Sequence, residues 1–511
     1  MAGRPTKRAP ARRGAKPAGR SGATRTGAQR SPRRRRLRLH FAAAELAPLV
    51  LSGGLGEAVA GLAGALAERG HALTCLLPAH RRLLESPQCP PLTDVGAVQL
   101  SLPDAVHAGC WREGRLGALR LLLLDLPTLY DAPQLYGTPG ADAEARRFAA
   151  FARAVAARTA RETPDVLVAH DWHAALALCC LRTLHDFGVA RGIGCVQVVH
   201  NSAYQGRFGA SQMPVTGLPS ELFHPEALEF WGDLCLLKGG LVWADRIIAV
   251  SPTHAAELQT PSFGAGLEGV YRWRAHRLLG IPNGVDVVRH DPATDAALPA
   301  RFGSEYPKPK ATCRTHLLAS LGLEPPEPGR LLAAIGRLTE QKGWDVLADA
   351  IPALLERGAS LALLGDGDPA LAERLRVAAR RWPTRVAVTI GWDETLAHRL
   401  YAGADGVLIP SRFEPCGLVQ LVAQRYGALP IAHAVGGLVD TIRDGETGIL
   451  FEPLTAPMLV AAAERAAALL RGADAGDVVS RLLSLDVSWR TPAASYETVF
   501  AAVAREAVRR I

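Results

Sequence analysis

Several clusters of polar residues and glycines stand at the ends of short apolar runs, where side chains of these types can bind or move charge. Leu51-Ser52-Gly53-Gly54-Leu55-Gly56-Glu57 leads into a helical pattern. Adjacent glycines at a helix start leave backbone N–H groups open to an anion such as a phosphate. The spacing matches neither the Rossmann fingerprint nor a P-loop, so a purely structural turn fits as well. A Val-rich run delivers His170-Asp171-Trp172-His173, and the next delivers His200-Asn201-Ser202-Ala203-Tyr204-Gln205-Gly206. Either cluster alone reads equally as strand capping; two on successive strands point to a site. His170 and His173 lack helical spacing and an acidic partner cluster, so no metal is expected.

Further along, Gly336-Arg337-Leu338-Thr339-Glu340-Gln341-Lys342-Gly343 sets two cations on one loop before a helix. Such a pair neutralises a diphosphate, although an isolated Arg and Lys also suit a salt-bridged surface loop. Pro410-Ser411-Arg412-Phe413-Glu414-Pro415-Cys416-Gly417-Leu418 brings a carboxylate to a strand end beside a helix start, where it also favours the helix dipole. Gly436-Gly437-Leu438 supplies a second glycine pair suited to an anion.

The elements that position these groups alternate as βαβ units do. Strands are expected near Leu37–Ala43, Ala72–Leu77, Leu119–Leu124, Val166–Ala169, Cys195–Val199 and Arg246–Val250, with helices at Ala58–Arg69 and Glu144–Arg161. After an irregular stretch, strands recur near Leu331–Ile335, Ser360–Leu364, Val386–Ile390 and Gly406–Ile409. The expected organisation is a basic tail at 1–36, a first Rossmann-like domain at 37–290, a connector at 291–329, a second domain at 330–486 and a C-terminal segment at 487–511. In such α/β folds ligands bind at the carboxyl ends of the strands, here in the cleft between two doubly wound domains.

Composition agrees with a globular α/β body. The 511 residues are 48% hydrophobic and 21% charged, and no apolar run approaches a membrane span. The net charge of +9 comes from the tail, since Met1–Arg38 holds 14 of the 58 Lys and Arg and none of the 49 acids. That Arg-, Gly-, Ala- and Pro-rich segment is read as a disordered, solvated extension rather than a nucleic-acid contact. It shares an Arg-rich, acid-free character with transit peptides, but has no apolar residue beyond Met, Ala and Pro before Leu37 to build an amphipathic face. Nine scattered cysteines without framework spacing suit reduced thiols in a cytoplasm.

Taken together, AHDWHA (169–174), VHNSAYQG (199–206), AVSPT (249–253), TPSFGAGLEG (260–269), NGVD (283–286), RLTEQKG (337–343) and PSRFEPCGL (410–418) resemble the bacterial glycogen synthase and plant starch synthase family. The resemblance implies a GT-B fold, two Rossmann-like domains facing a deep cleft. It implies retaining transfer of glucose from ADP-glucose to an α-1,4-glucan, with no cofactor and no membrane association. By position, Glu414, His200 and Asp171 are the catalytic candidates. Ser52, Gly53, Gly54, Asn283, Arg337, Lys342, Cys416, Gly417, Leu418, Gly436 and Gly437 are the donor-binding ones. Glu57, Trp172, His173, Asn201 and Tyr204 line the acceptor and sugar side. A final helix after Ser488-Trp489 is expected to cross back to the first domain.

Four positions depart from the family pattern. Leu51 stands where a lysine usually reaches the donor, Glu57 replaces an aspartate, and Val422 stands where a tyrosine is common. The GTPGADAEAR segment between Tyr136 and Arg147 lacks a Pro-Tyr pair expected to touch sugar. A UDP-glucose enzyme, another acceptor, or a weakened glucan-binding homologue are the alternatives these changes raise.

Overall fold

The computed structural model describes residues 35–132, 134–137, 140, 142–183, 192–472 and 475–510; all but the last two residues of the basic tail lie outside them. The twelve strands of the first half are β1 (Arg38–Ala42), β2 (Ala72–Pro78), β3 (Thr93–Ser101), β4 (Val106–Leu116), β5 (Leu119–Asp125), β6 (Val166–His170), β7 (Gly194–Val199), β8 (Arg207–Gly209), β9 (Glu229–Phe230), β10 (Asp233–Cys235), β11 (Arg246–Ala249) and β12 (Leu278–Gly280). Nine of them form one sheet in the order β12-β11-β7-β6-β1-β2-β5-β4-β3, with β4 alone running antiparallel to its neighbours. The other three form a small antiparallel sheet, β8-β10-β9.

The second half carries β13 (Leu331–Leu338), β14 (Ser360–Gly367), β15 (Val386–Ile390), β16 (Gly406–Ile409), β17 (Leu429–His433) and β18 (Ile449–Phe451). They form an all-parallel sheet ordered β15-β14-β13-β16-β17-β18. Both sheets wind outward from a central pair, β1/β6 in the first and β13/β16 in the second. Those pairs are the topological switch points where a crevice opens beyond the strand ends.

Strands such as β6, buried at every residue, are continuous apolar runs because helices cover both faces. One core layer joins helices Ala143–Glu162 and Asp171–Thr183 to the first sheet. The opposite layer holds helix Gly54–Glu68 and, from the end of the chain, Trp489, Tyr496, Phe500 and Val503. Helix Arg490–Val508 thus docks on the first sheet. A Cβ at Gly61 would lie 2.0 Å from the Trp489 indole nitrogen, so only glycine admits this docking.

Sequence reading missed the β3–β4 hairpin, whose half-exposed, polar residues hide the strand signal, and the short β17 and β18. The stretch read as an irregular connector contains helix Lys310–Leu321. Its Lys310 ammonium donates to the carbonyls of Tyr401 (3.4 Å), Ala402 (2.8 Å), Ala404 (3.2 Å) and Tyr426 (3.0 Å), tying together the C-terminal ends of two helices. No described helix is long and apolar enough to cross a membrane.

Candidate active site

At the first switch point, β6 ends on His170 and the next helix begins with Asp171, held at a φ of 54°. A left-handed non-glycine residue is costly and persists where its surroundings fix it. Here the Asp171 Oδ1 accepts the N–H groups of His200 (2.7 Å) and Asn201 (3.3 Å), clamping the backbone that leaves β7. Burial pushes the Asp171 carboxyl up to about 7 in spite of those two donors. His200 Nε2 meets His170 Nδ1 at 3.0 Å. Desolvation lowers His200 to about 3 and His170 well below its usual value, so both rings are neutral at neutral pH. This side of the site therefore offers hydrogen bonds without positive charge.

The neighbouring candidates are divided by burial. Asn201 turns its side chain back on its own loop, Oδ1 accepting from Ala203 N at 3.0 Å, while Tyr204 stays half exposed. Trp172 and His173 were expected to line the sugar side. They are buried instead, stacked 4.1 Å apart between centroids and packed on Phe148. A Cβ on Gly206 would come within 2.3 Å of the Trp172 ring, so Trp172 serves to seat the His200–Gly206 loop.

The loop after β1 ends at Gly53, and helix Gly54–Glu68 starts with no side chain among the described residues capping it. A Cβ on Gly53 would meet nothing within 4 Å; one on Gly54 would stand 3.6 Å from Leu418 Cδ1 of the second half. The uncapped N–H groups thus open toward the other sheet's loops. Ser52 is turned inward: its N–H and hydroxyl donate to the two oxygens of Glu45, at 2.8 and 3.0 Å. Glu45, only 3% exposed, also accepts the Tyr136 hydroxyl at 2.7 Å. Sequence reasoning passed over Glu45, which lies in an apolar, alanine-rich stretch. It also sought an aromatic after Tyr136, whereas Tyr136 itself packs against His173, with centroids 4.9 Å apart. Thr138, Pro139 and Ala141 of that segment lie outside the described residues.

At the second switch point, Arg337 belongs to the end of β13 rather than to a loop. It is exposed, and its guanidinium has no protein partner among the described residues. Lys342 closes the following turn and donates to Glu414 Oε2 at 2.5 Å, with the Ser411 hydroxyl on the same oxygen at 3.0 Å. Gly343, at a φ of 67°, lets this turn approach β16, since a Cβ there would come within 1.8 Å of the Pro410 carbonyl oxygen. Arg412 is spent on Asp345, at 2.8 and 2.6 Å.

Gly436 and Gly437 were read as an anion cradle, but their N–H groups are already used. Gly436 donates to Glu257 Oε1 (2.9 Å) and Gly437 to the Glu414 carbonyl (3.0 Å). A Cβ at either would strike the Glu414 or Cys416 backbone, at 2.1 and 2.4 Å. The pair therefore seats the Glu414 loop closely rather than holding a ligand. Cys416 and Gly417 lead to Leu418, which precedes helix Val419–Arg425; the Cys416 thiol, pushed up to about 12 by burial, accepts from Asn283 N at 3.3 Å. The Asn283 side-chain oxygen is buried without a hydrogen-bond partner among the described residues. Val422 is buried in the core of the second half.

Glu57 was expected in the sugar pocket. It pairs with Arg289 at 3.1 Å, and Arg289 also meets Glu394 at 2.7 Å, so the carboxylate joins an ion network between halves. Burial raises the Glu57 carboxyl, and Arg289 opposes that shift. Trp392, between β15 and helix Glu394–Gly403, is 65% exposed at a strand's carboxyl end and was not singled out from sequence. Among the described residues no group of three or more His, Cys, Asp or Glu is placed to hold a metal ion.

Residues 38–273 match the family model described as starch synthase catalytic domain, and 329–468 match glycosyl transferases group 1. The glycogen synthase of Novosphingobium aromaticivorans is 38% identical, over 91% of this chain and 98% of that protein. That of Anaeromyxobacter dehalogenans strain 2CP-C is 40% identical, over 92% and 100%. Among solved structures, the catalytic domain of starch synthase IV from Arabidopsis thaliana, bound to ADP and acarbose, superimposes with a TM-score of 0.84. It is 28% identical, over 92% of this chain and 100% of that one. Sucrose-phosphate synthase from Thermosynechococcus elongatus, at 20% identity and a TM-score of 0.56 over 91% and 100%, shares the GT-B fold.

Proposed function

The chain belongs to the glycogen synthase and starch synthase family, and we propose that it transfers glucose from ADP-glucose to the non-reducing 4-hydroxyl of an α-1,4-glucan. The anomeric carbon keeps its α configuration and ADP leaves. The observation that carries this reading is the Lys342–Glu414 pair after β13, the strand whose end carries Arg337, with no partner for that guanidinium among the described residues, and the start of helix Gly54–Glu68 close to Leu418 of the same half.

The chemistry fits the division of charge. As the C1–O bond to the diphosphate breaks, negative charge grows on the leaving phosphate and positive character on the sugar. Arg337 and Lys342 take the phosphate, and the open N–H groups near Gly53 and Gly54 add to them. Lys342 is already held by Glu414, so a donor phosphate shares an ammonium that Glu414 has oriented. The Glu414 carboxylate stands by the transferred glucose, binding its hydroxyls. Neutral His200 offers its backbone carbonyl to the anomeric centre; a charged imidazolium there would oppose the developing cation. The acceptor 4-hydroxyl attacks from the face the phosphate leaves, and its proton passes to that phosphate. Gly417 and Leu418 line the donor side, and the exposed Trp392 is a flat surface for the adenine. No cofactor is needed by this scheme, and we place the enzyme in a bacterial cytoplasm, a reading supported by the bacterial origin of its relatives.

The test is ADP release from ADP-glucose with and without glycogen, comparing wild type with Glu414→Ala. Glycogen-dependent release that the substitution reduces about a thousand-fold is expected, the scale of losing a group that acts on transition-state charge. Equal or better turnover of UDP-glucose would remove the proposed donor. Glycogen binding with no turnover of either donor would leave a glucan-binding homologue, the reading that Leu51 motivates.

A further inference from the structure

Trp231 is the most exposed aromatic residue of the described chain, at 80%, and it occupies the tip of the β9–β10 hairpin. Its φ is 53°, a conformation an aromatic residue adopts only when its surroundings impose it. The surroundings here are three loops locked together. Gln205, from the His200–Gly206 loop, donates to the Ala265 carbonyl at 2.9 Å, and Ala265 is itself left-handed, at a φ of 51°. The next residue, Gly266, lies under the hairpin, where a Cβ would stand 2.9 Å from the Phe230 ring and 3.8 Å from the Trp231 indole nitrogen. Gly232 donates to Glu229 at 2.6 Å, and Arg207 lies over Phe230 at 4.9 Å while pairing with Asp233 at 2.8 Å. The Leu236 and Leu237 N–H groups bond back to Gly206 and Gln205, both at 3.0 Å.

A strained, rigidly supported indole open to solvent has no role in the core. Its N–H has no partner among the described residues. The chain leaving its hairpin is tied by backbone hydrogen bonds to the loop that carries His200 and the half-exposed Tyr204. The small sheet that carries Trp231 also presents the polar and charged groups Arg207, Glu229 and Asp233. The matching ligand presents flat C–H faces and hydroxyls together, as a pyranose chain does: the faces stack on the ring and a hydroxyl accepts from the indole N–H. We propose that Trp231 is a platform for outer sugars of the α-glucan acceptor, holding the polymer while its end reacts. This rests on the proposed glucan synthase reading.

The left-handed backbone supplies the test, because Trp231→Gly removes the ring and relieves the strain together. Affinity electrophoresis through glycogen, without donor, and KM for glycogen are measured for wild type, Trp231→Gly and Trp231→Tyr. The expected result is a roughly ten-fold weaker glycogen affinity and a matching rise in KM for Trp231→Gly, the loss typical of one aromatic anchor. Thermal stability should not fall, and Trp231→Tyr should keep most of the binding. Unchanged glycogen affinity in Trp231→Gly overturns the platform, as does a variant whose only change is a lower mass in sedimentation, which would make the indole a self-association contact. A wild type that turns over glycogen normally beside an unaltered Trp231→Gly removes the platform alone. A wild type that neither binds glycogen nor releases ADP removes the synthase reading and the platform with it.

Discussion

The two switch points have the same strand order and opposite electrostatics. At β1/β6 the polar groups are buried and consumed by each other: Asp171 by the His200 and Asn201 amides, His170 by His200, Glu45 by Ser52 and Tyr136. At β13/β16 a guanidinium has no partner among the described residues and an ammonium is held by a carboxylate at 2.5 Å. One topology delivers loops to a crevice in both halves, but the residues at the strand ends decide whether a crevice is neutral and rigid or charged and ligand-ready. A glycosyl transfer that splits charge between sugar and phosphate has use for both kinds.

The sharpest way to break this comparison is to remove the free cation. Arg337→Ala should lower kcat/KM for ADP-glucose by about a hundred-fold or more, with Arg337→Lys recovering part of it, because a bidentate fork suits a phosphate better than a point charge. Glycogen binding without donor should be unchanged, which separates the phosphate side from the sugar side. An Arg337→Ala enzyme within two-fold of wild type would mean the diphosphate sits elsewhere.

On the neutral side the expected effect is smaller and carries a pH signature. Asp171→Asn keeps an oxygen for the two amides but alters the hydrogen bonding at the strand exit, and should cost roughly ten- to a hundred-fold in kcat, by the measure of a displaced orienting group. Because Asp171 is raised to about 7 when folded against an ordinary 3.8, the native state binds the extra proton between those values. Its contribution to stability therefore declines as pH rises from about 4 to about 7 and is flat above. The variant lacks that decline, so its Tm relative to wild type should improve between pH 4 and pH 8. A constant Tm difference across that range would show that Asp171 titrates normally.

Legibility in the sequence follows the same division. Most of the parallel strands and the residues just beyond them were readable because buried strands are continuous apolar runs that end abruptly in polar clusters, as at Ala169-His170-Asp171, while the short β17 and β18 were not. The β3–β4 hairpin was not, since its alternation is blurred by charge on the exposed face. Side-chain assignments fared less evenly. Lys342 and Glu414 pair, and Arg337 lies near the end of β13, but Gly436 and Gly437 have their N–H groups bonded within the protein, because sequence cannot say whether an N–H is already taken. Glu57 went to Arg289 and Trp172 to the core for a similar reason: burial and partners arise from contacts between distant segments. Glu45 and Tyr136, 91 residues apart, have no local pattern joining them.

The smallest expected effect addresses Leu51, the position that makes the first crevice more neutral than its family's. Leu51 packs toward Gly56, where a Cβ would stand 3.1 Å from the Leu51 Cβ, and it immediately precedes Ser52, whose N–H and hydroxyl hold Glu45. A lysine there has two destinations, the donor phosphate or the buried Glu45 carboxylate. If it reaches the phosphate, Leu51→Lys should raise kcat/KM for ADP-glucose by about ten-fold, the low end of one charge-assisted hydrogen bond. If it folds back on Glu45, the gain should appear only in Leu51→Lys combined with Glu45→Gln, while the single variant gains thermal stability instead. A single variant that gains neither would mean that the first crevice works as a neutral cradle, leaving the cations of β13/β16 to carry the diphosphate unaided.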